Sequence, residues 1–182
     1  MMTFARGAAF AALLIAGLTA GLASDPAAAQ STSPFGGFKH DRTQPIEIAA
    51  DSLEVRESQN IAIFKGGVVA GQGTLKLTAD ELEVHYGDGG AGTGQIRLLE
   101  ARGDVFLSNQ EETAAGDVAE YDVAAGAIRM TGGVTLTQGG NVVKGAALSI
   151  DLNTGEGRVD GGGGRVKSVF TPAPKDPPKA AD

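Results

Sequence analysis

Apolar and polar residues alternate along most of this chain. The period of two shows at Ile46 and Ile48, at Leu75 and Leu77, at Leu82, Val84 and Tyr86, at Val134 and Leu136, and at Leu148, Ile150 and Leu152. Side chains that recur at every second residue share one face of a β-strand, so these segments predict strands with one wet and one dry face. Between the chain's ends no segment carries a helical period.

A degenerate repeat overlies the alternation. Ala50-Asp51-Ser52-Leu53-Glu54-Val55 recurs as Ala79-Asp80-Glu81-Leu82-Glu83-Val84. It returns more weakly as Gly116-Asp117-Val118-Ala119-Glu120-Tyr121 and Gly145-Ala146-Ala147-Leu148-Ser149-Ile150. The apolar parity switches inside each copy: Ile46, Ile48 and Ala50 are even, Leu53 and Val55 odd; Leu75, Leu77 and Ala79 are odd, Leu82 and Val84 even. A one-residue slip turns every later side chain to the opposite face unless a bulge or corner absorbs it. A bend is therefore expected at each Ala-Asp or Gly-Asp, with both arms keeping their apolar faces inside. Gly66-Gly67-Val68, Gly103-Asp104-Val105 and Gly132-Gly133-Val134 predict a second corner, since glycine accepts positive φ.

Units copied at about 30 residues stack because one alone cannot bury its apolar face. The pattern thus predicts an all-β fold: a dozen or more short antiparallel strands folded over a crease into an open jelly-roll or trough. A closed sandwich is the alternative. Aromatic residues are only 5% of the chain, too few to plug a wide centre, and this favours the trough.

The ends read differently. Residues 1–29 have the form of a secretory signal, with Arg6, an apolar stretch from Ala8 to Leu22, and small residues Ala27-Ala28-Ala29 before Gln30. The apolar stretch falls short of the roughly 20 residues a membrane-spanning helix needs, which favours cleavage over retention as an anchor. Residues 30–42 form a polar leader expected to be mobile, residues 43–170 the folded body, and residues 171–182 a Pro-rich tail with neither helix nor ladder.

Composition narrows the chemistry. A net charge of -7 with scattered basic residues argues against nucleic acid. The chain has no cysteine and two histidines, which leaves no thiol nucleophile and makes zinc improbable. His40 and His85 read as surface residues. Asp51, Asp80 and Asp117 recur at repeat spacing and do not converge as an acid–base pair; they suit acceptance of backbone N–H bonds at the corner. Gly161 to Gly164 lacks the lysine and helix of a phosphate loop. No catalytic residue set, metal site or cofactor is expected.

Gln44-Pro45-Ile46-Glu47-Ile48-Ala49-Ala50-Asp51, followed by Phe64-Lys65-Gly66-Gly67-Val68-Val69-Ala70-Gly71-Gln72-Gly73-Thr74-Leu75-Lys76-Leu77-Thr78-Ala79-Asp80, resembles the periplasmic bridge-protein family of lipopolysaccharide transport (LptA, OstA-like). The resemblance spans residues 43–170, and glycine runs at residues 87–94 and 161–164 depart from it. It implies a creased β-jelly-roll, or β-taco, that encloses lipid A acyl chains in the periplasm. It also implies head-to-tail self-association through terminal strands, and partners of the same fold in an inner-membrane anchored complex and an outer-membrane translocon. The lining of such a groove would comprise Ile46, Ile48, Phe64, Leu75, Leu77, Leu82, Val84, Phe106, Tyr121, Met130, Leu136, Leu148 and Ile150, with Ile46 and Tyr121 matching positions where the family contacts lipid. The membrane-anchored partner of that pathway and a secreted structural β-solenoid without ligand are the competing readings.

Overall fold

The structure, a computed structural model, describes residues 38, 41–90, 94–110 and 112–171, all within the compact unit Thr32–Asp182. The expected signal peptide, most of the leader, His40, and the tail beyond residue 171 lie outside the described residues. The described residues form one antiparallel sheet of ten strands: β1 (Ile46–Ala49), β2 (Ser52–Arg56), β3 (Ile61–Gln72), β4 (Leu75–Tyr86), β5 (Ile96–Asn109), β6 (Glu112–Asp122), β7 (Ala127–Gln138), β8 (Asn141–Asp151), β9 (Glu156–Asp160) and β10 (Lys167–Val169). A 3-10 turn, Glu57–Gln59, joins β2 to β3.

Order in the sheet follows the chain. The path runs β1-β3-β4-β5-β6-β7-β8-β10, while β2 pairs with the other half of β3 and β9 with the other half of β8. Strands β1 and β2 are thus one strand broken at residues 50–51, and β9 and β10 another, broken at residues 161–166. The six between them run through unbroken, in place of the many short strands expected. The β1/β2 edge does not pair with the β9/β10 edge, so the sheet stays open.

The crease is a line of bulges. Register shifts fall between Lys65 and Val68 on β3, Arg102 and Val105 on β5, and Thr131 and Val134 on β7, where two residues face one on the neighbouring strand. The Gly-Gly-Val and Ala-Asp sites therefore share one corner rather than making two. Asp51 lies against Gly66, Asp80 against Gly103 and Asp117 against Gly132, each carboxylate occupying the space a β-carbon would take. Gly132 and Gly133 have φ of 91° and 78°, and two successive residues in that region give the bulge its sharp turn. The three aspartates accept no hydrogen bond among the described residues; the expected role as acceptors is replaced by this stacking, because the glycine face leaves them room.

The crease divides the sheet into two arms. Arm one holds β1, β10 and the halves of β3 to β8 that carry the β3–β4, β5–β6 and β7–β8 turns; arm two holds β2, β9 and the other halves. The parity switch works as predicted: Leu75 and Ala79 before it, and Leu82 and Val84 after it, are all at most 6% exposed. Across the β7 bulge parity is kept, and Ile128, Met130, Val134 and Leu136 are all at most 2% exposed. The inner faces of both arms contribute to a single buried apolar cluster. Charged pairs such as Lys65 with Glu81 at 3.1 Å and Arg102 with Glu100 at 2.9 Å lie on the outer face.

Candidate functional site

The inner face gathers nearly all of the expected lining. Leu75, Leu82, Val84, Tyr121, Met130, Leu136, Leu148 and Ile150 are buried in the apolar cluster, with Ile46, Ile48, Phe64 and Leu77 packed against it at its margins. Phe106 is the exception, on the outer face and 41% exposed, while its neighbours Val105 and Leu107 are buried at 1% and 0%. The cause is register: Val105 occupies the place after the bulge that Val134 takes on β7, so Leu107 points in and Phe106 out. Leu99, Ala101 and Leu107 also face inward and were not among the expected lining. The bulge motif aligns β5 with β7, and that signal would have found Leu107.

The interior is not an empty furrow. Side chains of the described residues fill most of it and leave an apolar cavity of about 40 Å³, lined by Ile46, Leu75, Leu77, Leu82, Leu99, Leu107, Tyr121 and Ile128 among others. The β1/β2 end is the less sealed one: Leu53 and Val55, which pair with Phe64 and Ala62, are 55% and 47% exposed.

Polar groups line the lip of arm one. Gln72, Asn109 and Glu112 are buried at 5%, 5% and 0%, and Gln138 Nε2 donates to Glu112 Oε1 at 2.7 Å. The Tyr121 hydroxyl, from arm two, donates to Gln72 Oε1 at 3.0 Å and so ties the arms across the mouth. Burial pushes the Tyr121 phenol above its usual range, the nearby Arg42 cation opposing and Asp122 reinforcing the shift.

The leader does not hang free where it is described, against the expectation from its polar composition. Phe38 is fully buried and belongs to the apolar cluster. Gln72 Nε2 donates to the carbonyls of Arg42 and Gln44, both at 3.0 Å, and Arg42 Nη1 donates to Val123 O at 3.0 Å. The aromatic side chain of Phe38 was the overlooked signal. His85 also departs from a freely solvated residue: its side chain is 23% exposed, with Glu83 at 3.2 Å and Glu100 at 4.0 Å. Among the described residues no three His, Asp or Glu side chains converge as a metal site would require.

An open, creased antiparallel sheet wrapped round an apolar interior defines the class: an all-β, jelly-roll-like fold. Residues 47–156 match the family described as LptA/(LptD N-terminal domain) LPS transport protein, and the chain belongs to that family. An uncharacterized protein of Rhizobium meliloti (strain 1021) is 37% identical over 168 residues, which cover 89% of this chain and 90% of that protein. The lipopolysaccharide export system protein LptH of Pseudomonas aeruginosa is 28% identical over 169 residues, 89% of either chain. The crystal structure of that LptH, the LptA homologous periplasmic component of the lipopolysaccharide transport device, superposes with a TM-score of 0.63 at 23% identity, covering 72% of this chain and 99% of LptH.

Proposed function

We propose that this protein is a periplasmic carrier that holds the acyl chains of lipopolysaccharide between its two arms and passes them from inner to outer membrane. The observation that carries the reading is the single apolar cluster shared by the inner faces of a sheet whose edges stay unpaired. A fatty chain of about a dozen carbons loses on the order of 10 kcal/mol on entering water, at about 0.8 kcal/mol per methylene. An apolar interior removes most of that cost and needs no directional bonds, so cargo can slide. The cavity of about 40 Å³ is too small for such a chain, so loading requires the arms to part.

The reading includes residues 1–29 as a cleaved export signal and residues 43–170 as the carrier domain. Its lining comprises the inner-face candidates from Ile46 to Ile150, without Phe106. The unpaired β1/β2 and β9/β10 edges suit strand addition, and copies joined through them would extend the interior from one to the next. Partners of the same fold at the two membranes would dock by the same edges. The tight filling of the interior favours one other reading, a structural filament without cargo. A photoreactive side chain separates them. Placed at Leu82 in cells it should yield lipopolysaccharide adducts, and placed at Phe106 it should yield none; equal yields at both would remove the carrier reading.

A further inference from the structure

The mouth between the arms is already occupied by the protein itself. Phe38 sits in the apolar cluster at 0% exposure, which no polar leader requires for its own sake. Residues 41–44 lie on the lip of arm one, and the Arg42 side chain reaches from them to arm two. On arm one, Gln72 Nε2 holds the carbonyls of Arg42 and Gln44. On arm two, Arg42 Nη1 reaches Val123 O at 3.0 Å and Ala124 O at 3.4 Å, and its guanidinium lies over Gly126, 2.8 Å from where a β-carbon would stand. Asp41 stiffens the crossing, its carboxylate accepting from Thr43 N at 2.9 Å, Thr43 Oγ1 at 2.6 Å and Gln44 Nε2 at 3.2 Å.

We propose that Phe38 and residues 41–44 form a removable strap that fills the mouth of the trough until an acylated ligand displaces it. The inference rests on the carrier reading and adds to it a built-in competitor for the cargo. The chemistry of the exchange matches. Phe38 stands in the apolar interior where hydrocarbon would lie. The backbone carbonyls on Gln72 stand where the ester or amide carbonyls at the head of an acyl chain would accept the same hydrogen bonds. Leaving Gln72 buried without such an acceptor costs more than the bond itself contributes, so plain release of the strap is disfavoured and exchange is favoured. An empty carrier thereby keeps its oily lining out of water. A protein whose binding-competent state is a minor fraction binds with an apparent Kd raised by that fraction, so weakening the strap tightens binding.

The chain has no tryptophan, so Phe38→Trp introduces a single indole reporter in the whole protein. Its emission should lie at short wavelength without ligand and move to long wavelength with purified lipopolysaccharide, while deacylated lipopolysaccharide leaves it in place. Arg42→Ala should bind lipopolysaccharide about tenfold more tightly by gel-filtration co-migration. On the unsubstituted protein, amide exchange at residues 42–44 should quicken when lipopolysaccharide is added, a readout independent of either variant's folding. Co-migration with no change in emission or exchange overturns the strap and leaves the carrier reading intact, as does Arg42→Ala binding no more tightly. No co-migration by any form removes the carrier reading, and the strap with it.

Discussion

The side chain of Asp117 rests on the α-carbon of Gly132, where a β-carbon would have to go. Its repeat mates do the same, Asp51 on Gly66 and Asp80 on Gly103. The two sequence motifs are therefore halves of one joint. At the Asp117–Gly132 and Asp80–Gly103 joints the aspartate strand supplies two residues and the glycine strand three, and the sheet bends where they meet.

Gly132→Ala should destabilise the fold by about 2–4 kcal/mol, since it adds steric conflict with Asp117 to the strain of positive φ. Gly133→Ala should cost only about 1–2 kcal/mol, because its φ is also positive but nothing lies within 4 Å of the added carbon. Urea titration measures both, and pairing Gly132→Ala with Asp117→Gly should recover the difference.

The inward and outward sides of β5 should respond very differently. Leu107 is fully buried, and Leu107→Ala should cost about 2–5 kcal/mol by leaving a cavity. Phe106→Ala, on the outer face, should cost less than about 1 kcal/mol. Thermal or urea unfolding separates the two, and similar costs would contradict the register assigned to this strand.

Tyr121 should impose an alkaline limit on stability. The phenol is neutral in the folded protein with its pKa raised by burial above the ordinary 10.0. Its contribution is complete below pH 10, where the unfolded chain begins to ionise, and is lost as pH rises through the folded value. Tyr121→Phe should flatten stability against pH above 10 while costing about 0.5–1.5 kcal/mol at neutral pH through the lost bond to Gln72. Denaturant midpoints from pH 7 to 11 test this.

At the lip of arm one, Gln138→Leu removes the donor to Glu112, a carboxylate with no exposure. A lost hydrogen bond to such a group should cost about 1.5–3 kcal/mol in urea unfolding. Lys76→Ala, on the outer face of β4, should change stability by no more than about 0.5 kcal/mol.

Much of this architecture was legible in the residues. Alternation identified the strands, and shared parity across Gly132-Gly133 placed Met130 and Leu136 on the same inner face across the bend, as found at 0% and 1% exposure. What it did not show was that Ala-Asp and Gly-Gly-Val meet at one corner, because that depends on which strands are neighbours. Phe106 was misplaced because Val105, Phe106 and Leu107 are all apolar, so alternation is silent there and only the bulge sets the face. The burial of Gln72 was not legible either, since Tyr121 of the opposite arm meets it only in the folded sheet. Phe38 is a tertiary matter entirely, a side chain whose burial depends on space that other strands create.

Because the glycine bulges of β3, β5 and β7 lie on a single transverse line, each arm keeps its own ladder of hydrogen bonds on either side of that line. The angle between the walls can then change through a few backbone torsions at the spine, with neither wall rebuilt. Under the proposed carrier role, a container hinged in this way would adjust its bore to its contents, so that tails differing in number and length would find room in the same vessel.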